Sequence, residues 1–272
     1  MERIARRWKS LSQEEVRRIR NASSVEQYAT GGLAGGQYMP VYTGALAGKA
    51  VTLNFEGREA LHYRFEDAHA LAWQDGAGGE GREFYQAHVG AQNVYFVHHA
   101  VEGTLEGRTL VLDFDTGLVT LCAARIGNGY EAREVGHTFY FGRIAGVGDG
   151  KVPLHGFTHD LVGKAIRWTY RENEMMVKHV YLTPQYYAYT MIGGLNGWTS
   201  ATPADYVKIR ENLYIFTWLE ERQAGIEGIC LIDLEAMHDV GGFFGINSGD
   251  TFECYTFGAK GEWSTPHTDF ED

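Results

Sequence analysis

Glu220 ends a run, Tyr214-Ile215-Phe216-Thr217-Trp218-Leu219-Glu220, in which alternate residues are aromatic until the last, a carboxylic acid. Side chains alternate between faces along a β-strand, so Tyr214, Phe216, Trp218 and Glu220 share one face. If that face points inward, Glu220 is a carboxyl at the end of an aromatic-walled tube. Desolvation there disfavours the carboxylate, raises the pKa and suits the group to proton transfer. If the face points outward, the same residue is a solvated strand end beside Glu221 and Arg222.

The run Ile166-Arg167-Trp168-Thr169-Tyr170 places Ile166, Trp168 and Tyr170 on one face by the same geometry. A tyrosine hydroxyl inside a cavity orients a substrate by hydrogen bonding, which makes Tyr170 the positioning partner of Glu220. Trp168, Tyr214 and Trp218 then form walls, and Tyr189 joins them from a tyrosine-dense stretch that also holds Tyr181, Tyr186 and Tyr187. His99, in Val94-Tyr95-Phe96-Val97-His98-His99, falls at the position of Trp218 in a related strand and is a further candidate substrate contact. Its alternative is a hydrogen-bonded core histidine.

Neighbouring His98 and His99 point to opposite faces of a strand, so they cannot share one ion. His155 and His159 are four apart, but Gly156 between them argues against the helix that would align them. Cys122, Cys230 and Cys254 are odd in number and far apart, which fits neither a disulfide framework nor a paired-thiol metal motif. Phosphate loops, dinucleotide glycine motifs and Gly-x-Ser-x-Gly are missing. The sequence therefore predicts no metal and no cofactor.

The elements that must position these residues repeat. Leu46-Ala47-Gly48-Lys49-Ala50-Val51-Thr52-Leu53 matches Leu161-Val162-Gly163-Lys164-Ala165-Ile166-Arg167-Trp168 at a separation of 115 residues. Tyr85 through Val97 mirrors Tyr206 through Phe216, and Val111-Leu112-Asp113-Phe114-Asp115 mirrors Leu231-Ile232-Asp233-Leu234-Glu235. Each copy reads as short alternating strands split by turns. Such a meander exposes two edges unless it curls and closes, which predicts a barrel filled by side chains or enclosing one small ligand. Ahead of the first copy lie a helix or two, opened by a capping box at Ser12 and Glu15, and a glycine-rich hinge, Gly31–Gly36.

With 272 residues, 13% aromatic and 22% charged, the chain is long enough and apolar enough for two modest cores. Its net charge is −11, although residues 1–20 carry seven Lys and Arg, Arg3, Arg6, Arg7, Lys9, Arg17, Arg18 and Arg20. An acidic body repels phosphate backbones, so no nucleic-acid partner is expected. The basic segment reads as a solvated amphipathic helix or as a contact to an acidic surface. No apolar run reaches the roughly 20 residues a membrane helix needs, nor does one follow the basic residues as a secretory signal requires. The expectation is a cytoplasmic protein with no membrane partner, with a homodimer left open.

The pairing of Gly163-Lys164-Ala165-Ile166-Arg167-Trp168-Thr169-Tyr170 with Trp218-Leu219-Glu220 and Leu231-Ile232-Asp233-Leu234 resembles the C-terminal domain of the MoaF family. Tyr63-Arg64-Phe65 and Leu110 through Gly117 resemble that family's N-terminal domain. The family carries the description molybdenum cofactor biosynthesis protein F, yet nothing in the sequence resembles a pterin or nucleotide site. The second copy also resembles, more distantly, the phenolic acid decarboxylases, which are calycin barrels. That likeness implies Tyr170 as the substrate-orienting hydroxyl and Glu220 as the proton-transfer carboxyl. Trp168 stands where those enzymes have a tyrosine, and their cavity arginine falls on Asn196-Gly197-Trp198 and is lost.

The expected fold is mainly β, two tandem calycin/lipocalin-like antiparallel β-barrels with a short N-terminal helical segment. The extension and hinge take residues 1–40, the first barrel 41–145 and the second 155–272. The expected function is a cofactor-independent lyase, or isomerase or cyclase, acting on a small hydrophobic or aromatic ligand. The alternative is a carrier of such a ligand.

Overall fold

The computed structural model describes residues 10–31, 33, 36–129, 131–192, 197–221 and 225–266. Arg3, Arg6, Arg7 and Lys9 of the basic segment lie outside the described residues, as do Gly32, Ala34 and Gly35 of the hinge, Asn196 and Arg222.

Helix α1 (Gln13–Ala22) starts at the expected capping box. The Ser12 hydroxyl accepts the Glu15 N–H at 3.2 Å, and the Glu15 carboxylate accepts the Ser12 N–H at 2.9 Å. Val16 packs with Ala124, Val135, Phe244 and Phe252, an apolar patch drawn from both halves of the chain. Arg20 departs from the solvated reading. It is buried, with its guanidinium 4.4 Å above the Phe252 ring and 3.5 Å from Glu102. An arginine stem covers apolar surface while its head keeps a charged partner. Helix α2 (Val25–Tyr28) follows and sets Tyr28 edge-on to Phe252.

The rest is antiparallel sheet. The first sheet holds β1 (Ala50–Phe55), β2 (Leu61–Phe65), β3 (Ala70–Asp75), β4 (Glu80–Phe84), β5 (Gln86–Ala91), β6 (Val94–Ala100), β7 (Glu106–Asp113), β8 (Leu118–Ile126) and β9 (Val135–Ile144). The second holds β10 (Gly156–Phe157), β11 (Ala165–Arg171), β12 (Met175–Thr183), β13 (Tyr186–Ile192), β14 (Thr199–Arg210), β15 (Leu213–Glu220), β16 (Ile226–Asp233), β17 (His238–Ile246) and β18 (Phe252–Ser264). In the second, β14 pairs with both β13 and β15, which closes β11–β18 into an eight-stranded barrel. In the first, the matching stretch is broken at Tyr85. Its β4 half pairs with β3 and its β5 half with β6, so that barrel is only nearly closed.

The repeat has a physical basis. Gly48 and Gly163 sit at φ of +77° and +85°, a region glycine reaches without strain. Each donates its N–H to the carbonyl of an aromatic residue, Phe65 at 2.8 Å and Tyr181 at 2.7 Å, while Leu46 and Leu161 plug the same end of each barrel. Tyr85 and Tyr206 are buried and donate their hydroxyls to the carbonyls of Asp67 and Tyr186 at 2.8 and 3.1 Å. Asp113 and Asp233 cap matching turns, accepting the backbone N–H groups of Asp115 and Thr116 and of Glu235 and Ala236.

The barrels pack side by side through their outer faces. Val94, Phe96, Val111 and Cys122 of the first meet Val207, Ile215, Ile229, Leu231 and Val240 of the second. At the margin, Arg210 makes a bidentate pair with buried Asp113, Nε to Oδ2 at 2.6 Å and the terminal nitrogen to Oδ1 at 2.5 Å.

Candidate functional site

The inward faces of the second barrel are aromatic almost throughout. Trp168, Tyr181, Tyr206 and Phe216 fill the end plugged by Leu161. Toward the other end the filling stops, leaving a cavity of about 380 Å³ lined by Tyr170, Met175, Val177, His179, Tyr187, Tyr189, Met191, Trp218, Glu220, Phe243, Glu253 and Tyr255. Leu33 and Ser248 complete the lining at the mouth. A Cβ on Gly31 would lie 1.7 Å from the Tyr255 ring, so only glycine lets the segment ahead of Leu33 lie this close. That volume is at the small end of the roughly 300–1,000 Å³ typical of small-molecule pockets.

Four of the residues singled out from the sequence meet here. Glu220 is half-buried and reaches the cavity, where the Tyr189 hydroxyl lies 3.3 Å from Oε1 and the Trp218 indole N–H 3.4 Å from Oε2. Tyr170 is buried, and desolvation holds its hydroxyl well above the usual tyrosine range, so it stays protonated. The other three residues stand elsewhere. Trp168 is a filler beneath the cavity, pressed against the backbone of Gly261 with its N–H 3.4 Å from the Tyr181 hydroxyl. Tyr214 turns its hydroxyl to Asp160 at 3.1 Å. His99 lies in the first barrel, bonded to the Tyr63 hydroxyl at 3.1 Å, as the core alternative has it.

Sequence reading missed three polar groups. His179 lies at the cavity floor amid Tyr181, Tyr187, Phe216 and Trp218; its Nδ1 is buried without a partner, and burial lowers its pKa to about 3, leaving a neutral imidazole. Glu253 accepts the Asn247 amide at 2.7 Å and is raised from its ordinary pKa by burial. Asp239, fully buried near Tyr170 and Cys230, is pushed up to about 8 by desolvation, although its Oδ1 accepts the Ala259 N–H at 2.7 Å. A signal for Glu253 existed: Glu253, Tyr255 and Phe257 alternate as Phe216, Trp218 and Glu220 do, in reverse order.

Strand register explains why the cavity is in this barrel. His99 pairs with Arg108 across β6 and β7, and Trp218 pairs with Gly228 across β15 and β16. The buried Arg108 guanidinium lies 3.9 Å over Trp73 and donates to the Tyr63 hydroxyl at 3.3 Å, crossing the first barrel's interior. At Gly228 there is no side chain, and the Trp218 ring fills the spot where a Cβ would stand, 2.3 Å away. The indole lies back on the wall and the space inside stays open.

Residues 23–128 match the MoaF N-terminal domain and residues 155–265 the MoaF C-terminal domain. A 99-residue stretch is 34% identical to the protein MoaF of Klebsiella aerogenes, covering 36% of this chain and 37% of that protein. The match therefore spans little more than a third of that relative's length. The solved structure of a candidate beta-lactamase from Burkholderia vietnamiensis aligns with 38% of this chain and 95% of its own, at 14% identity and a TM-score of 0.31.

Proposed function

The chain belongs to the MoaF family through both of its halves, and from that premise we propose that its second barrel houses a cofactor-independent enzyme site. The reading is a lyase, or an isomerase or cyclase, that moves a proton on a small apolar or aromatic metabolite. One observation carries it: Glu220, the Tyr170 hydroxyl and a neutral His179 border one aromatic cavity.

In this reading Glu220 takes a proton from the bound substrate and returns it at a second position. The Tyr189 hydroxyl and the Trp218 N–H stabilise its charged form. Tyr170, held protonated, donates a hydrogen bond to the developing negative charge, and the neutral imidazole of His179 offers a hydrogen bond to the substrate on the floor. Water exclusion by the aromatic walls strengthens each of these contacts. Among the described residues the lining has two carboxyl groups and no Lys or Arg, which suits a neutral substrate and suits neither a carboxylate nor a pterin phosphate.

The test is a tryptophan-fluorescence and thermal-shift titration against neutral phenolics, cinnamate esters and terpenoids, with product analysis, on wild type and Glu220→Gln. Comparable affinity in both, with turnover lost by about 10²–10⁴-fold in the variant, is the expected result. Binding without product in either form makes the protein a carrier, and no binding at all removes the site.

A further inference from the structure

The seam between the barrels brings together three side chains that the sequence keeps far apart. Cys122 comes from β8 and His137 from β9, both of the first barrel, and Glu227 comes from β16 of the second. One ligand atom from each lies within 4.8 Å of the other two. His137 Nδ1 is 2.6 Å from Glu227 Oε1, and Cys122 Sγ is 3.7 Å from the same oxygen. Cys122 and Glu227 are 1% and 2% exposed, so a thiol and a carboxyl are both withdrawn from water at one point.

We propose that this triad is a binding site for a divalent transition metal of the zinc type, with Cys122 Sγ, His137 Nδ1 and Glu227 Oε1 as its protein ligands. A tetrahedral ion with bonds of roughly 2.0–2.3 Å to N, O and S holds its ligands about 3.3–3.8 Å apart. The sulfur–oxygen spacing already falls in that range, and the nitrogen–oxygen spacing must open by less than about 1 Å. The other imidazole nitrogen supports the assignment. His137 Nε2 is 2.9 Å from Asp205 Oδ2 on β14, the carboxylate–histidine arrangement that orients metal-bound imidazoles. A cleft of about 320 Å³ lined by His137, Asp205, Gln185 and Thr217 reaches His137 and its carboxylate partner from solvent. A mixed S, N, O set favours zinc over magnesium or calcium, which take all-oxygen sites. The ion would join the two barrels, since its ligands come from both.

Metal-stripped full-length protein titrated with Co²⁺ tests this directly. The expected result is one equivalent bound, with a near-ultraviolet thiolate-to-cobalt charge-transfer band and tetrahedral visible bands, displaced by Zn²⁺. Cys122→Ser removes the charge-transfer band. Asp205→Asn, at a half-exposed position that leaves all three ligands in place, weakens Zn²⁺ binding by about 10–100-fold in calorimetry. Cobalt binding without a thiolate band, Zn²⁺ affinity indifferent to Asp205→Asn, or no binding at micromolar metal each overturns the proposal. If Cys122→Ser fails to fold, the wild-type cobalt spectrum and the Asp205→Asn affinity still decide it.

Discussion

At the scale of the residue, burial sets the protonation of the second barrel's interior. Asp239 is raised to about 8 from an ordinary value of 3.8, so the folded state holds a proton the unfolded chain gives up above pH 4. A raised folded pKa means its favourable state is fully present below the unfolded value and is lost as pH rises through the folded one. Wild type should therefore lose stability relative to Asp239→Asn between about pH 4 and pH 8. Urea titrations of both proteins across that range measure it, and parallel curves would refute the assignment. Glu220 was readable in the sequence because it interrupts an aromatic alternation at its last position. Asp239 and His179 were not, because one polar residue on an apolar strand face has the same pattern whether it is a satisfied core group or lines a cavity.

At the scale of the element, one register position separates a filled barrel from an open one. Gly228→Ala places a methyl where the Trp218 ring now lies, 2.3 Å from its nearest carbon, and must push the indole into the cavity. The expected outcome is a shifted tryptophan emission and loss of ligand binding, and unchanged emission with unchanged binding would show the wall yields elsewhere. The repeated motif was legible because its constraints are local: a glycine with positive φ, a turn-capping aspartate, a tyrosine tied to a carbonyl. The break at Tyr85 was not legible, because it depends on which neighbours β4 and β5 find across the barrel. Trp168 and Tyr214 show the same limit. Alternation puts each of them on one face with its aromatic neighbours, but says nothing of which way that face points or of their depth along the barrel.

At the scale of the whole molecule, contacts between the barrels connect residues about 100 positions apart. Arg210 is the clearest. It forks onto Asp113, which is fully buried, and reaches Asp115 at 3.1 Å. The guanidinium holds Asp113 below the usual carboxylate range even though burial pushes the other way. Arg210→Ala leaves that buried carboxylate with its backbone N–H partners but no cation, which should cost roughly 3–5 kcal/mol in denaturant unfolding. A loss below about 1 kcal/mol would mean water replaces the fork. None of this packing is written in composition or alternation, since each strand's outer face reads as solvent-facing until a second barrel covers it.

The Arg108 side chain gives the paired barrels a further meaning. It is a tethered occupant: the first barrel carries its guest on its own backbone, so seating that guest loses no translational freedom and no concentration can dilute it. Under the proposed function the second barrel, with glycine at that place, would draw its guest from solution.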